Sequence, residues 1–253
     1  MAMTIPAYPQ RSIFRYIANE YEYNNALRSV EFREVGFDTE FTEPAPVVAA
    51  HADRWEHMKL RLIQLAIPGV VFIIDVKLMK AIPHELRRIL EARHIAKVSV
   101  GLPIDGRIIF EADGIDLQNL VDVGLMTKFS NPEAYPQQDQ TSLGLQICVK
   151  DVLGYHLSKS EQSRYKWQDE LSEGHILYAG LDAQASLEVY SAIKPAFYEK
   201  AYKVVGGIPE HWYTFDFTKG KPTRQEKSRE GKVIPWSARF CTWYNGGRFQ
   251  GYV

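Results

Sequence analysis

Three strand-like segments follow one another in the first third of the chain, and they constrain the fold more than any other feature. The run REVGFD is an apolar segment that ends in an acid, and KLRLIQLAI alternates apolar with polar residues. VVFIIDV is continuously apolar, which is typical of a central strand. Pro68 and Gly69 separate the last two segments and predict a tight turn. We therefore expect those two strands to form an antiparallel hairpin.

A helix and a further strand are predicted after this hairpin. Pro83 is expected to open a helix that carries Leu86, Ile89 and Leu90 at helical spacing. AKVSVG then reads as a short buried strand, and a strand that follows a helix indicates a parallel crossover. We predict an α/β fold with a mixed five-stranded sheet, in which an antiparallel three-strand meander continues into parallel strands flanked by helices.

Two more helices are predicted in the second half. FSNPEAYPQQDQ is typical of a loop, and Thr141 after it can cap a helix that Gly154 would end. A longer helix should begin near Ser172 and end near Pro195. Its expected buried stripe consists of Leu177, Leu181, Ala185 and Val189.

The last part of the chain differs in composition. Between residues 219 and 232 six basic residues face only two acidic ones, and few residues are apolar. ARFCTWYNGGRFQGYV follows, and its NGG centre between aromatic residues predicts a hairpin. We expect one domain over residues 1–199 and an extension over residues 200–253. The basic stretch would either follow a nucleic-acid backbone or form a solvated loop, and the loop is favoured slightly.

Bulk composition excludes some classes of protein. The net charge is −1, so any surface for nucleic acid must be local. Cys148 and Cys241 lie far apart and form no metal-spacing motif, which favours a reduced intracellular protein of the nucleus or cytoplasm. No apolar stretch approaches the length of a membrane span, so no membrane partner is expected.

The N-terminus allows two interpretations. The first 19 residues include Arg11 and Arg15 and no acid, a weak resemblance to a mitochondrial transit peptide. The favoured alternative is an amphipathic first segment with Ile13, Phe14 and Ile17 facing the core.

Four acidic residues and one tyrosine, far apart in sequence, occupy positions that the predicted fold could bring close together in space. Asp38 and Glu40 lie two apart at a strand end, so their side chains point to the same side. Asp105 follows a second predicted strand by a short turn, where open α/β sheets bind ligands. Tyr178 and Asp182 lie four apart on one helix face. Two carboxylates about 4 Å apart repel by roughly 4 kcal/mol at an effective dielectric of 20. Such a cluster predicts bound Mg²⁺ or Mn²⁺, because oxygen-only ligands favour these cations. The reaction that most often needs such a site is phosphodiester hydrolysis.

These segments resemble the three exonuclease motifs of the DEDD superfamily. GFDTEF is similar to the first motif, KVSVGLPIDGRIIFEADGIDLQNLVDV to the second, and SRYKWQDELSEGHILYAGLDAQASLEVY to the third. The tyrosine of the third motif places the resemblance in the DEDDy branch, which includes RNase D and the exonuclease domain of Werner syndrome helicase. The resemblance covers about residues 20–198 and implies a ribonuclease H-like fold.

The resemblance also implies roles for the motif residues. Asp38, Glu40 and Asp182 would bind one divalent cation, Asp38 would bridge to a second, and Asp105 would support that second ion. Tyr178 would position the attacking water, and nucleoside 5′-monophosphates would leave a single-stranded 3′ end of DNA or RNA. Four further residues are candidates for substrate contacts: Thr39, Phe41, Arg107 and Trp167.

Several of these assignments have plainer alternatives. Asp105 could cap the helix that begins after it, and Tyr178 could be a core aromatic. Trp167 is favoured as a packing residue over a stacking one, whereas Arg107 is equally well placed to contact a phosphate or to stay solvated. The segment 42–58 is either a lid over the 3′ end or a surface excursion.

Three functions are therefore compared. The first is a metal-dependent 3′–5′ exonuclease, which all five motif positions favour. The second is a catalytically weak scaffold of the same fold that binds nucleic acid or a protein partner. The third, less favoured, is hydrolysis of small nucleotides or dinucleotides.

Overall fold

The computed structural model of the protein describes residues 5–28, 30–42, 58–79, 82–131, 133–135, 142–158 and 167–205, and the short segments 243–245 and 248–250. Three predictions lie outside these residues: a lid between Thr42 and Met58, the cap at Thr141, and the basic stretch 219–232. The side chain of Arg107 is also outside the described set.

One mixed sheet organises the fold. Its strands are β1 (Ile13–Ile17), β2 (Glu34–Thr42), β3 (Lys59–Ile67), β4 (Val70–Asp75), β5 (Ala96–Ser99) and β6 (Leu120–Asp122), in the spatial order β1-β4-β3-β2-β5-β6. β2, β3 and β4 form an antiparallel meander, whereas β1, β5 and β6 each run parallel to their neighbour. The predicted combination of meander and parallel strands is confirmed.

The sheet has six strands rather than the five expected. The additional edge strand β1 comes from the segment predicted only as amphipathic, and it pairs with β4. Ile17 is buried at one end of this strand, but Ile13 is 63% exposed at the other. The prediction that Ile13 faces the core is therefore wrong, because an edge strand leaves part of its length uncovered.

Seven helices among the described residues flank the sheet. They are α1 (Glu20–Leu27), α2 (Val76–Met79), α3 (His84–Glu91), α4 (Leu102–Asp113), α5 (Val123–Ser130), α6 (Leu145–Cys148) and α7 (Glu173–Val205). α6 continues as one π-helical turn, Val149–Leu153. Gly154 ends that turn in the left-handed region at φ 74°, as predicted, while Gly144 precedes the first residue of α6.

Helix α7 is longer than the sequence pattern predicted. It passes Pro195 and ends at Val205, beyond the expected domain boundary at residue 199, although the division itself stays a prediction. A proline inside a helix costs about 3 kcal/mol. Continued burial offsets that cost, since Phe197 is 2% exposed and its ring lies 5.3 Å from that of Phe129.

The buried face of α7 is also rotated relative to the prediction. Leu177 is 43% exposed, so its assignment to the buried stripe is wrong, whereas Ala185 and Val189 are buried as expected. Ala179 and Ala183 carry the contact with the sheet instead, in a cluster with Leu62, Ala66 and Ile73. Small residues at these positions let the helix lie close to the strands.

The opposite face of the sheet packs against α3 and α4. Phe37, Leu65 and Ile74 belong to one buried cluster with Leu86 and Ile108. β7 (Trp243–Asn245) and β8 (Arg248–Gln250) form a separate antiparallel pair within the segment for which a hairpin is predicted. In the described part of the chain no helix has the length and apolarity needed to cross a membrane.

Candidate active site

A close approach between β2 and α7 brings the first and third motifs together. A Cβ atom placed on Gly36 would lie 2.1 Å from the carbonyl oxygen of Ala183 and 2.9 Å from Cβ of Leu187, so only glycine fits there. Side chains alternate along a strand, and Asp38 and Glu40 therefore share the face of Gly36 that α7 covers. This packing aims both acids toward the helix.

The negative charges of three carboxylates act on Tyr178. It is 8% exposed, and burial together with the negative charges of Asp182, Glu40 and Asp38 raises its pKa above the ordinary value for tyrosine. Its hydroxyl also forms a hydrogen bond with Asp182, one helical turn along α7. The phenol therefore stays protonated at neutral pH, and it acts as a hydrogen-bond donor among acids. Four of the five motif residues converge in this way.

Asp105 lies on the other face of the sheet, beside Thr39, and is not among the carboxylates that act on Tyr178. It lies in the first turn of α4, whose N-cap is Gly101 in the left-handed region at φ 70°. The alternative that Asp105 caps a helix that begins after it is therefore wrong. Burial raises the pKa of Asp105 to about 7, and the Thr39 hydroxyl, placed between Asp38 and Glu40 on β2, offsets part of that rise. Asp105 thus adjoins the strand that carries the first motif.

Two of the predicted substrate contacts are buried. Thr39 and Phe41 are each 7% exposed, and Phe41 packs in the cluster on the α3 and α4 side of the sheet. Neither side chain offers a free surface to a substrate. Alternation along β2 explains this placement, because odd-numbered positions point away from the face on which Asp38 and Glu40 lie.

Trp167 supports Tyr178 from the side. It is 8% exposed, and its ring centroid lies 6.3 Å from that of Tyr178 and 5.2 Å from that of His175 in an edge-to-face contact. This burial agrees with the packing interpretation of Trp167. Arg107 lies in the second turn of α4, and the structure does not describe its side chain.

The donor atoms at this site are carboxylate oxygens, which suit Mg²⁺ or Mn²⁺. In the ranges that the structure describes, no group of three or more His, Cys, Asp or Glu side chains has the spacing of a preformed ion site. The donor chemistry fits a divalent cation, and binding would have to draw the carboxylates closer together. Asp38, Glu40 and Asp182 all act on Tyr178, so their mutual repulsion is what a bound cation would relieve.

Sequence reasoning missed Asp122, a buried acid that joins three elements. Its Oδ1 accepts hydrogen bonds from the backbone N–H of Gly124 (2.9 Å) and Leu125 (3.0 Å), which caps α5. The same oxygen accepts from Ser142 Oγ at 2.5 Å, and Oδ2 accepts from the N–H of Gly101 at 3.3 Å, next to α4. The feature of the sequence that could have identified Asp122 is an acid at the end of an apolar run. Asp122 fixes the start of the helix that carries Asp105.

A second missed residue is Gln64 in the middle of β3. It is fully buried and pairs directly with Asp38 across the β2–β3 ladder. Its signal in the sequence is a polar side chain inside a run that is otherwise apolar at neighbouring positions.

A cleft of about 1070 Å³ lies at the N-terminal end of α7, and Phe14, Leu171 and Leu177 are among its lining residues. None of the five motif residues lines it. Arg61 at its wall donates to the buried carboxylate of Asp75 at 2.7 Å. The cleft is therefore separate from the convergence at Tyr178.

Comparison with known proteins places the chain in a family. A family model described as 3′–5′ exonuclease matches residues 14–197. The mouse bifunctional 3′–5′ exonuclease/ATP-dependent helicase WRN is 26% identical over 192 residues, which cover 74% of this chain and 13% of that protein. The chain thus spans only a small part of that relative.

Two solved structures share the fold. The Nibbler EXO domain of Aedes aegypti matches with a TM-score of 0.61 and 21% identity, covering 75% of this chain and 92% of that one. Escherichia coli RNase D matches with a TM-score of 0.59 and 23% identity, covering 75% and 46%. These likenesses confirm the ribonuclease H-like fold. With the match over residues 14–197, the chain belongs to the 3′–5′ exonuclease domain family.

Proposed function

We propose that this protein is a two-metal-dependent 3′–5′ exonuclease, which hydrolyses the terminal phosphodiester of a nucleic acid and releases nucleoside 5′-monophosphates. The observation that carries the proposal is the close packing of β2 on α7 at Gly36 and Ala183, on the strand that bears Asp38 and Glu40 and next to Asp182. Acids from a strand and from a helix far along the chain all act to raise the pKa of Tyr178, which supports the roles that the resemblance to the exonuclease motifs implies.

Four carboxylates would hold the cations: Asp38, Glu40, Asp105 and Asp182. When bound, a pair of divalent cations supplies Lewis-acid stabilisation of the attacking and leaving oxygens. Asp105, whose pKa burial raises to about 7, would give up its proton when it becomes a ligand. Loading of the site should therefore improve as the pH rises toward 7.

Tyr178 would orient the attacking water by accepting a hydrogen bond from it, while its own O–H donates to Asp182. Its raised pKa excludes a role as general base at neutral pH, because a base must release its own proton first. Trp167 packs beside the ring and limits its movement, and His175 packs on Trp167 in turn.

The substrate class follows from the proposed chemistry. A single-stranded 3′ end of DNA or RNA offers a terminal phosphodiester, and the protein's net charge of −1 means that backbone contacts must come from local basic residues. The RNase D neighbour is described as an exoribonuclease involved in structured RNA processing, which makes RNA one arm of the test.

The test is a matched panel of single-stranded DNA, single-stranded RNA and duplexes with 3′ overhangs, each labelled at the 3′-terminal nucleotide. We expect labelled nucleoside 5′-monophosphate to be released with Mg²⁺ or Mn²⁺ and not with EDTA. Asp38→Asn and Asp182→Asn serve as controls that should abolish release.

Two outcomes would contradict the proposal. If no mononucleotide appears with either metal, the exonuclease assignment is wrong. If the wild type binds the oligonucleotides in a gel-shift assay without turnover, the scaffold interpretation gains instead. Faster cleavage of dinucleotides than of long strands would support the third candidate.

A further inference from the structure

Gln64 lies under the candidate active site, at the centre of the sheet. Across the β2–β3 ladder it is the direct partner of Asp38. Directly paired residues point their side chains to the same face, with Cβ atoms about 4.5–5.5 Å apart. Leu62 and Ala66, two positions to either side of Gln64, pack in the cluster beneath α7. The amide of Gln64 therefore lies on the face that carries the Asp38 carboxylate.

This amide is both buried and unsatisfied. Gln64 is 0% exposed, and neither its Nε2 nor its Oε1 has a hydrogen-bond partner among the described residues. A buried polar group without a partner costs about 1–3 kcal/mol, whereas Leu or Met would fill the same space at no such cost. Nearly all buried polar side chains in native proteins are paired, so an exception calls for a specific explanation.

We propose that Gln64 is a positioning residue for Asp38: its Nε2 donates a hydrogen bond to the Asp38 carboxylate when that carboxylate takes up a divalent cation. This inference rests on the proposed function. Carboxylates that bind metals are usually held by hydrogen bonds from residues behind them, and loss of such a partner lowers metal affinity or activity about 10- to 100-fold.

The burial of Gln64 limits what else it could do. A side chain with no exposed surface does not contact the substrate, so Gln64 is not a catalytic residue. A primary amide is neutral and does not titrate, so it can orient Asp38 at any pH without adding to the charge that the cation must balance.

The experiment compares Gln64→Leu with the wild type in two measurements. The first is Mn²⁺ affinity by calorimetry, and the second is Tm without metal and with saturating Mn²⁺. We expect the metal-free Tm to be equal or higher in the variant, since the unpaired amide is gone. Mn²⁺ affinity should fall about 10- to 100-fold, and the metal-induced rise in Tm should shrink.

Gln118→Leu is the matched control. Gln118 is also buried, but its Nε2 already donates to Asp116, and it is not paired with any strand residue of the motifs. Its replacement should lower the metal-free Tm and leave Mn²⁺ affinity unchanged. If Gln64→Leu behaves in this same way, Gln64 has only a structural role and the inference is overturned.

A second variant guards against misfolding. Gln64→Met keeps the unbranched shape, so it should fold if Gln64→Leu does not. Mn²⁺ affinity within threefold of the wild type in a folded variant would overturn the inference, even when the wild type is an active nuclease. Conversely, the affinity measurement needs no substrate, so a failure of the proposed function in the release assay would be recognised separately.

Discussion

Gly36 on β2 touches the backbone of Ala183 on α7, with no room for a side chain between them. A Cβ atom there would meet the Ala183 carbonyl oxygen at 2.1 Å. Asp38 and Glu40 follow Gly36 on the same strand, and Asp182 precedes Ala183 on the helix. The distance between the two acidic motifs is therefore set by one glycine.

Replacement of Gly36 by alanine tests this contact. The added methyl group must push α7 away from β2, which should destabilise the protein by about 1–3 kcal/mol or more. Because a misplacement of about 1 Å at a reacting centre can cost 100-fold in rate, exonuclease activity should fall at least tenfold. Urea unfolding and the mononucleotide-release assay measure the two effects.

Gly144→Ala provides the comparison for Gly36→Ala. Nothing lies within 4 Å of a Cβ atom at Gly144, and its φ of −65° suits any residue. Its replacement should cost less than about 1 kcal/mol, through the weaker N-cap alone. Equal losses in the two variants would show that the Gly36 contact is not tight in solution.

Tyr178→Phe removes the hydroxyl while keeping the ring that Trp167 packs against. We expect the hydrolysis rate to fall about 10- to 100-fold, since a hydrogen bond that orients water is lost while the carboxylates stay in place. Tyr190→Phe on the same helix is the control, because the Tyr190 hydroxyl donates to Glu34 at the start of β2 and should not affect the rate.

Ionisation of Tyr178 can be followed directly. Absorbance of tyrosinate near 295 nm should show no contribution from Tyr178 below about pH 10, because burial and three carboxylates raise its pKa. An undiminished rate in Tyr178→Phe would remove this residue from the mechanism altogether.

Local sequence patterns were sufficient for the central part of the fold. β2, β3 and β4 were predictable because each is a buried run of strand length. Pro68-Gly69 between β3 and β4 is typical of a tight turn, which makes those two strands antiparallel. The spacing of two on a strand and four on a helix likewise predicted which acids share a face. These inferences use only neighbours in sequence.

Features that depend on distant contacts were not predictable. Ile13 and its strand gain their structure by pairing with β4, and α7 continues past Pro195 because Phe197 packs on Phe129. Leu177 is exposed because small residues of α7, rather than its larger leucines, face the sheet. The pairing of Gln64 with Asp38 depends on the register of β2 and β3, which no single segment encodes.

Asp122→Ala tests whether the helices that position the site depend on a carboxylate that is not itself a proposed metal ligand. The substitution removes the acceptor for two N–H groups of α5 and for the N–H of Gly101, so we expect a loss of about 1–3 kcal/mol in stability. Activity should fall as well, because α4 and its Asp105 lose their anchor. Asp122→Asn keeps an acceptor oxygen and should retain most of both properties. If the alanine variant matches the wild type in urea unfolding, this carboxylate does not hold the elements together.

Lys97 makes the stability of the protein depend on pH in a direction that can be predicted. Its side chain is fully buried on β5, and Nζ donates to the carbonyl oxygens of Ile89 (3.3 Å) and Ala92 (2.8 Å) at the end of α3. Burial lowers the pKa of Lys97 from its ordinary 10.5 to about 7. Between these values the unfolded chain binds a proton that the folded protein lacks, so the free energy of unfolding rises as the pH rises.

Relative to Lys97→Met, the wild type should become more stable by up to about 1.4 kcal/mol per pH unit above pH 7. Urea unfolding of both proteins at pH 7, 8 and 9 measures this difference, and a constant difference would mean that the ammonium group stays charged in the folded state.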